Sequence, residues 1–131
     1  FTFRDPKFYL FFTQNKVGKE AARDFLKRLN ERTENRDKKV KLSVLKKQLQ
    51  AIAAWGHDTP ADLSVFKHPV LVANGDHDRM VPTTNSYDLA KRFPNAEIVI
   101  YPNSGHGGIF QYHNEFITQA LRFLVNYFCL P

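Results

Sequence analysis

Val70-Leu71-Val72-Ala73 is a short apolar run with no polar residue between its members. A strand with one wet face would alternate, so this pattern predicts a strand covered on both faces, as in a parallel sheet. Gly75 to Pro82 then reads as a turn-rich loop, and Thr84 to Phe93 as a helix stopped by Pro94. Glu97 to Tyr101 is a second strand, and Pro102 to Gly108 a loop with three glycines. Asn114 to Phe128 closes the order as a helix with Phe116, Ile117, Ala120, Leu121 and Leu124 inward. Two strands do not complete a parallel sheet, and open edges invite pairing. The expectation is that further strands belong to this sheet, or that copies associate through the edge of strand 70–74. Phe1 in place of methionine agrees with an internal starting point, although processing gives the same result.

Residues 1–60 differ in kind from residues 61–131. Asp5-Pro6 suits a helix start, after which Phe8, Phe11 and Phe12 share a face. A second helix is predicted from about Gly18 to Asn30, with Ala22, Phe25, Leu26 and Leu29 as its buried stripe. Residues 31–41 are nearly all polar and read as an exposed loop. A third helix is predicted from a Ser43 cap to Gly56, burying Leu45, Leu49, Ile52 and Trp55. Asp58, Pro60 and Asp62 mark a linker.

Charge follows the same division. Residues 1–60 hold fourteen Lys and Arg against seven Asp and Glu, whereas residues 61–131 hold five against six. Nucleic-acid binding by the basic half is disfavoured, because it lacks interleaved aromatics and a glycine-rich phosphate cradle. The bland reading, a solvated helix surface, is preferred. No apolar run approaches the roughly 18 residues of a membrane span, and Arg4, Asp5 and Lys7 preclude an apolar signal core at the start. The single cysteine, Cys129, forbids an intrachain disulfide framework and points to a reducing, cytoplasmic setting.

Open α/β sheets place function at the carboxyl ends of their strands. Two polar clusters fall there: Gly75 to Pro82, with Asp76, His77 and Asp78, and Asn103 to Gly108, with His106 between glycines. Adjacent strands lie about 4.8 Å apart, so Asp78 and His106 can meet. A carboxylate that fixes the tautomer of an imidazole is the supporting half of a nucleophilic triad. Asp78 alone could merely cap a turn, and Asp76 competes with it for the acid role. His77 between two aspartates suggests a metal, but neighbouring side chains diverge along an extended chain, so no metal site is expected. Ser104 lies too close to His106 in sequence to be its nucleophile.

The segment Gly75-x-x-Asp78-x-x-Val81-Pro82, a helix, a strand, Gly105-His106 and a final helix together resemble the end of the α/β-hydrolase superfamily fold. The likeness is to the small hydrolases with a helical cap. It implies an α/β architecture: a cap segment over residues 1–60, then the last two parallel strands and helices of the sheet over residues 61–131. It implies that Asp78 is the triad acid and His106 the general base, while Asp76 stands where the family often carries a non-catalytic acid. Phe110, Gly107 and Trp55 become candidates for the substrate pocket. No cofactor is implied, and the partner is a small-molecule substrate such as an ester.

The family's nucleophile sits on a Gly-x-Ser-x-Gly elbow upstream of the cap. The six glycines here are 18, 56, 75, 105, 107 and 108, and no two are four apart. The expected reading is therefore the C-terminal part of a hydrolase, inactive alone. The alternative is a non-catalytic ligand-binding or interaction protein of the same fold.

Overall fold

The computed structural model describes residues 5–36, 38 and 40–127 with their side chains, and the backbone of residue 128. The readings of Arg4 and Cys129, and Asp37 and Lys39 of the polar loop, lie outside the described residues.

The chain begins with three helices: α1 (Lys7–Leu10), α2 (Lys16–Glu31) and α3 (Leu42–Gly56). A single 3-10 turn (Leu63–Val65) leads to β1 (Val70–Gly75), α4 (Thr83–Arg92), β2 (Ala96–Tyr101), α5 (Gly108–Gln111) and α6 (His113–Phe128). The strands pair parallel, from Val70 with Ala96 to Gly75 with Tyr101. They end level, so the loops carrying Asp78 and His106 leave the sheet side by side.

α2 starts two residues before the predicted point because Asn15 caps it: Asn15 Oδ1 accepts the Gly18 N–H at 2.8 Å. Its inward face brings Ala22, which is fully buried, against Phe8 and Phe12 of the preceding segment. Phe11, Phe25 and Leu26 pack around that cluster, while Leu29 is exposed. Each aromatic that leaves water here removes a large apolar area, which holds the two helices together.

α3 departs from expectation. It begins at Leu42 with Lys41 at the cap position and no side-chain cap, so Ser43 is not its cap. None of its residues is buried. Leu49 and Ile52 are exposed, and Trp55 is 80% exposed. The helical period of the stripe is right, but no other described element covers it. α6 shows the same effect in part. Phe123 is its buried anchor, whereas Ile117, Leu121 and Leu124 are exposed. Phe116 and Ala120 are half-buried.

The sheet is likewise covered only in part. Val72 and Gly75 are the buried residues of β1, and Ile98 of β2 is exposed. α4 packs across both strands. Tyr101 stacks on Tyr112, with ring centres 5.1 Å apart, and its hydroxyl meets Gln119 Oε1 at 2.9 Å, which ties β2 to α6. The other edge of β1 has no partner strand among the described residues. No helix among them is long and apolar enough to cross a membrane.

Candidate active site

The Asp78 carboxylate divides its work between its two oxygens. Oδ1 accepts the N–H groups of Met80 at 2.8 Å and Val81 at 3.0 Å, closing the turn that follows β1. Oδ2 lies 2.9 Å from His106 Nδ1. The turn-capping and histidine-orienting readings are thus both met, by different atoms. The Asp78 side chain is 1% exposed, so its contact with His106 is shielded from water. A carboxylate only accepts, which puts the proton on Nδ1 and leaves Nε2 as the acceptor of the neutral ring.

Asp76 is the competitor, and its geometry is different. Its Oδ2 accepts the Asn103 N–H at 3.0 Å, its Oδ1 accepts the Ser104 N–H at 3.1 Å, and His77 Nδ1 lies 2.6 Å away. Asp76 therefore staples the two strand-end loops together. Partial burial works against its charge, but His77 and the two backbone donors outweigh it and hold its carboxyl below the usual range. His77 thus pairs with Asp76, while Asp78 turns to His106. Among the described residues no cluster of metal-ligating side chains forms.

The histidine loop is held from several sides. Asp76 N–H donates to Tyr101 O, and His77 N–H donates to Ser104 O. Ser104 is fully buried, with its hydroxyl spent on Tyr101 O at 2.8 Å. A Cβ on Gly75 would stand 2.3 Å from the carbonyl oxygens of Ser104 and Gly105, so only glycine lets the two loops pass this closely. Asn103 makes the bend with φ of 50°, a left-handed conformation that Asn tolerates. On the acid side, Asn74 Nδ2 donates to Val81 O and Ser86 Oγ, closing the loop at its base.

Asp78 and His106 open on a cleft of about 390 Å³, lined also by Phe11, Val81, Leu89 and Phe110. Val72, Ala73 and Asn74 line it in succession, so the cleft runs along the unpaired edge of β1. Of the sequence-predicted pocket residues, Phe110 is at the cleft. Gly107 caps α5 and gives its N–H to Phe11 O at 2.6 Å. Among the described residues Trp55 is not brought to the site: it lies exposed on the uncovered face of α3 and is absent from the cleft lining. Sequence reasoning missed Phe11, Asn74 and the stapling role of Asp76. The Asx signal at Asn74 and Asp76 was present, but their partners lie up to 28 residues away.

Comparison with known proteins identifies the fold family. The alpha/beta hydrolase fold family matches residues 4–111. A solved alpha/beta hydrolase fold protein from Chitinophaga pinensis superposes with a TM-score of 0.88 at 37% identity, covering 95% of this chain and 46% of that one. A Caulobacter sp. (strain K31) protein named as a carbamate hydrolase, RutD, is 36% identical over 81 residues, 62% of this chain and 30% of that protein. The 2-hydroxy-6-oxo-6-phenylhexa-2,4-dienoate hydrolase of Burkholderia cepacia is 30% identical over 87 residues, 66% of this chain and 30% of its own length. The chain thus spans about 30% of the length of these two curated relatives. With the match over residues 4–111 and a two-stranded parallel sheet flanked by helices, the chain belongs to the α/β-hydrolase fold family.

Proposed function

We propose that Asp78 and His106 are the acid and the general base of a nucleophile-His-Asp triad that hydrolyses an ester or similar small molecule. The nucleophile is supplied by a residue outside these 131, on an elbow this sequence does not contain. The observation that carries the reading is the 2.9 Å contact between His106 Nδ1 and a carboxylate whose side chain is 1% exposed. His106 takes the nucleophile's proton at Nε2, and Asp78 stabilises the imidazolium that results. Residues 1–60 act as a cap segment: the segment after α1 and helix α2 roof the histidine loop by placing Phe11 and Phe25 on Phe110, with ring centres 4.9 to 6.3 Å apart.

By itself the 131-residue chain is catalytically inert, since general base and acid have no attacking group to serve. Cytoplasmic placement rests on the lone cysteine, and self-association on the free edge of β1. The deciding experiment follows p-nitrophenol release from a short ester by a complete protein carrying this segment. His106→Ala is expected to lower kcat/KM on the order of 10³-fold or more. Undiminished turnover by that variant would sink the reading, as would His106-dependent burst release by the 131-residue chain alone.

A further inference from the structure

The segment after α1 touches the histidine loop in a way the acid-base pair does not require. Phe11 O accepts the Gly107 N–H at 2.6 Å. The Phe11 ring stands edge-on to the His106 ring, with centres 5.2 Å apart and planes at 67°. The same ring stacks on Phe110 at 6.3 Å and an interplanar angle of 11°. One residue thus holds the imidazole, the peptide next to it and the aromatic four positions on.

The glycines on either side of His106 report the same contact. A Cβ on Gly105 would lie 2.8 Å from Phe11 O, and one on Gly107 would lie 3.0 Å from Phe11 Cβ. The first distance is closer than real Cβ atoms approach and the second leaves no slack, so both glycines make room for Phe11, and Gly107 also for the Phe12 ring, whose Cζ would lie 3.1 Å from that Cβ. Asp78 fixes one nitrogen of the imidazole but leaves the ring free to swing about that contact. A second contact on the ring removes this freedom, and Phe11 is the aromatic in ring contact with His106.

We propose that Phe11 is a positioning residue for His106: seating of the segment after α1 on Gly105 and Gly107 locks the imidazole in the orientation that Asp78 selects. The inference rests on the proposed triad role of His106 and ties the cap segment to the base directly. If the segment lifts, the base loses its aim.

The test uses a complete protein carrying this segment, with p-nitrophenyl acetate as substrate and His106→Ala run alongside. Phe11→Ala is expected to lower kcat about tenfold with KM little changed, because loss of aim slows proton transfer more than binding. The pH profile of kcat/KM is followed for each variant beside the rate. Phe11→Leu, which keeps bulk but not the ring edge, restores folding and only part of the rate, and Phe11→Tyr restores most of it. Gly107→Ala, whose added methyl would press on Phe11 and on the Phe12 ring, lowers kcat in the same sense and keeps the experiment decisive if Phe11→Ala does not fold. The inference is overturned if His106→Ala abolishes turnover while folded Phe11→Leu and Gly107→Ala keep the wild-type kcat and pH profile. Turnover retained by His106→Ala overturns the triad reading and this inference with it. A rise in KM alone identifies Phe11 as a substrate contact instead and also overturns it.

Discussion

α2 and α3 come from the same basic half of the chain, are of similar length and both carry an apolar stripe at helical spacing, yet one is seated and the other bare. α2 buries Ala22 against Phe8 and Phe12, and Arg28 reaches Phe110 O at 3.1 Å. α3 buries nothing and shows Leu42, Leu45 and Leu49 as a shallow groove. The difference teaches that periodicity specifies which face a helix offers, whereas burial needs an element to receive it. For α2 the receiver is the aromatic pair of the preceding segment together with the histidine loop. For α3 no described element serves.

That contrast can be broken by substitution. Phe12→Ala should have the largest effect, about 3–5 kcal/mol of stability lost in urea unfolding, because the ring is 3% exposed and leaves a cavity. A loss under about 1 kcal/mol would mean that the α1–α2 cluster contributes little to folding. Next comes Ala22→Leu, expected to cost about 1–3 kcal/mol by overpacking a fully buried site. A neutral outcome would show slack between α2 and the segment before it.

Asp76→Asn should cost about 1 kcal/mol at neutral pH, a figure kept small by its partial exposure. The sign with pH follows from its lowered pKa. A carboxylate depressed on folding contributes stability above its unfolded value of 3.8, and that contribution is lost as pH falls through the lower folded value. The gap between wild type and variant should therefore close in acid, and a gap that widens there would refute the stapling role. Leu49→Ala on α3 should be the smallest, within about 0.5 kcal/mol in the 131-residue chain. If the same change costs about 2 kcal/mol or more in a longer protein carrying the segment, something outside these residues covers α3 there.

The sequence carried the architecture of residues 61–131 well. The unalternating run at Val70 did forecast a parallel strand, and the order β1, α4, β2, α6 came within two residues of its bounds. The meeting of Asp78 with His106 was legible because parallel strands of equal end point leave little choice. What was not legible depended on partners. The stripe on α3 and the outer face of α6 looked like core, since an isolated chain does not say whether the receiving surface is present. Trp55 lies on that same uncovered stripe. The stapling role of Asp76 was hidden for another reason: the Asn103 and Ser104 amides that it accepts lie 27 and 28 residues away in the chain. Phe11 was read only as sharing a helix face with Phe8 and Phe12, and its contact with a loop about 95 positions away has no local signature.

The level ending of the two strands has a consequence for insertions and deletions. Because Gly75 faces Tyr101 across the ladder, the two loops are aligned by counting residues from a shared baseline. One residue added inside β2 would advance the histidine loop by about 3.3 Å and turn every following strand side chain to the opposite face. One residue added between the end of α4 and Asn95 leaves that baseline alone. Length variation among proteins of this kind should therefore collect around α4 and in the polar stretch before α3, and stop abruptly at Val70 and Ala96.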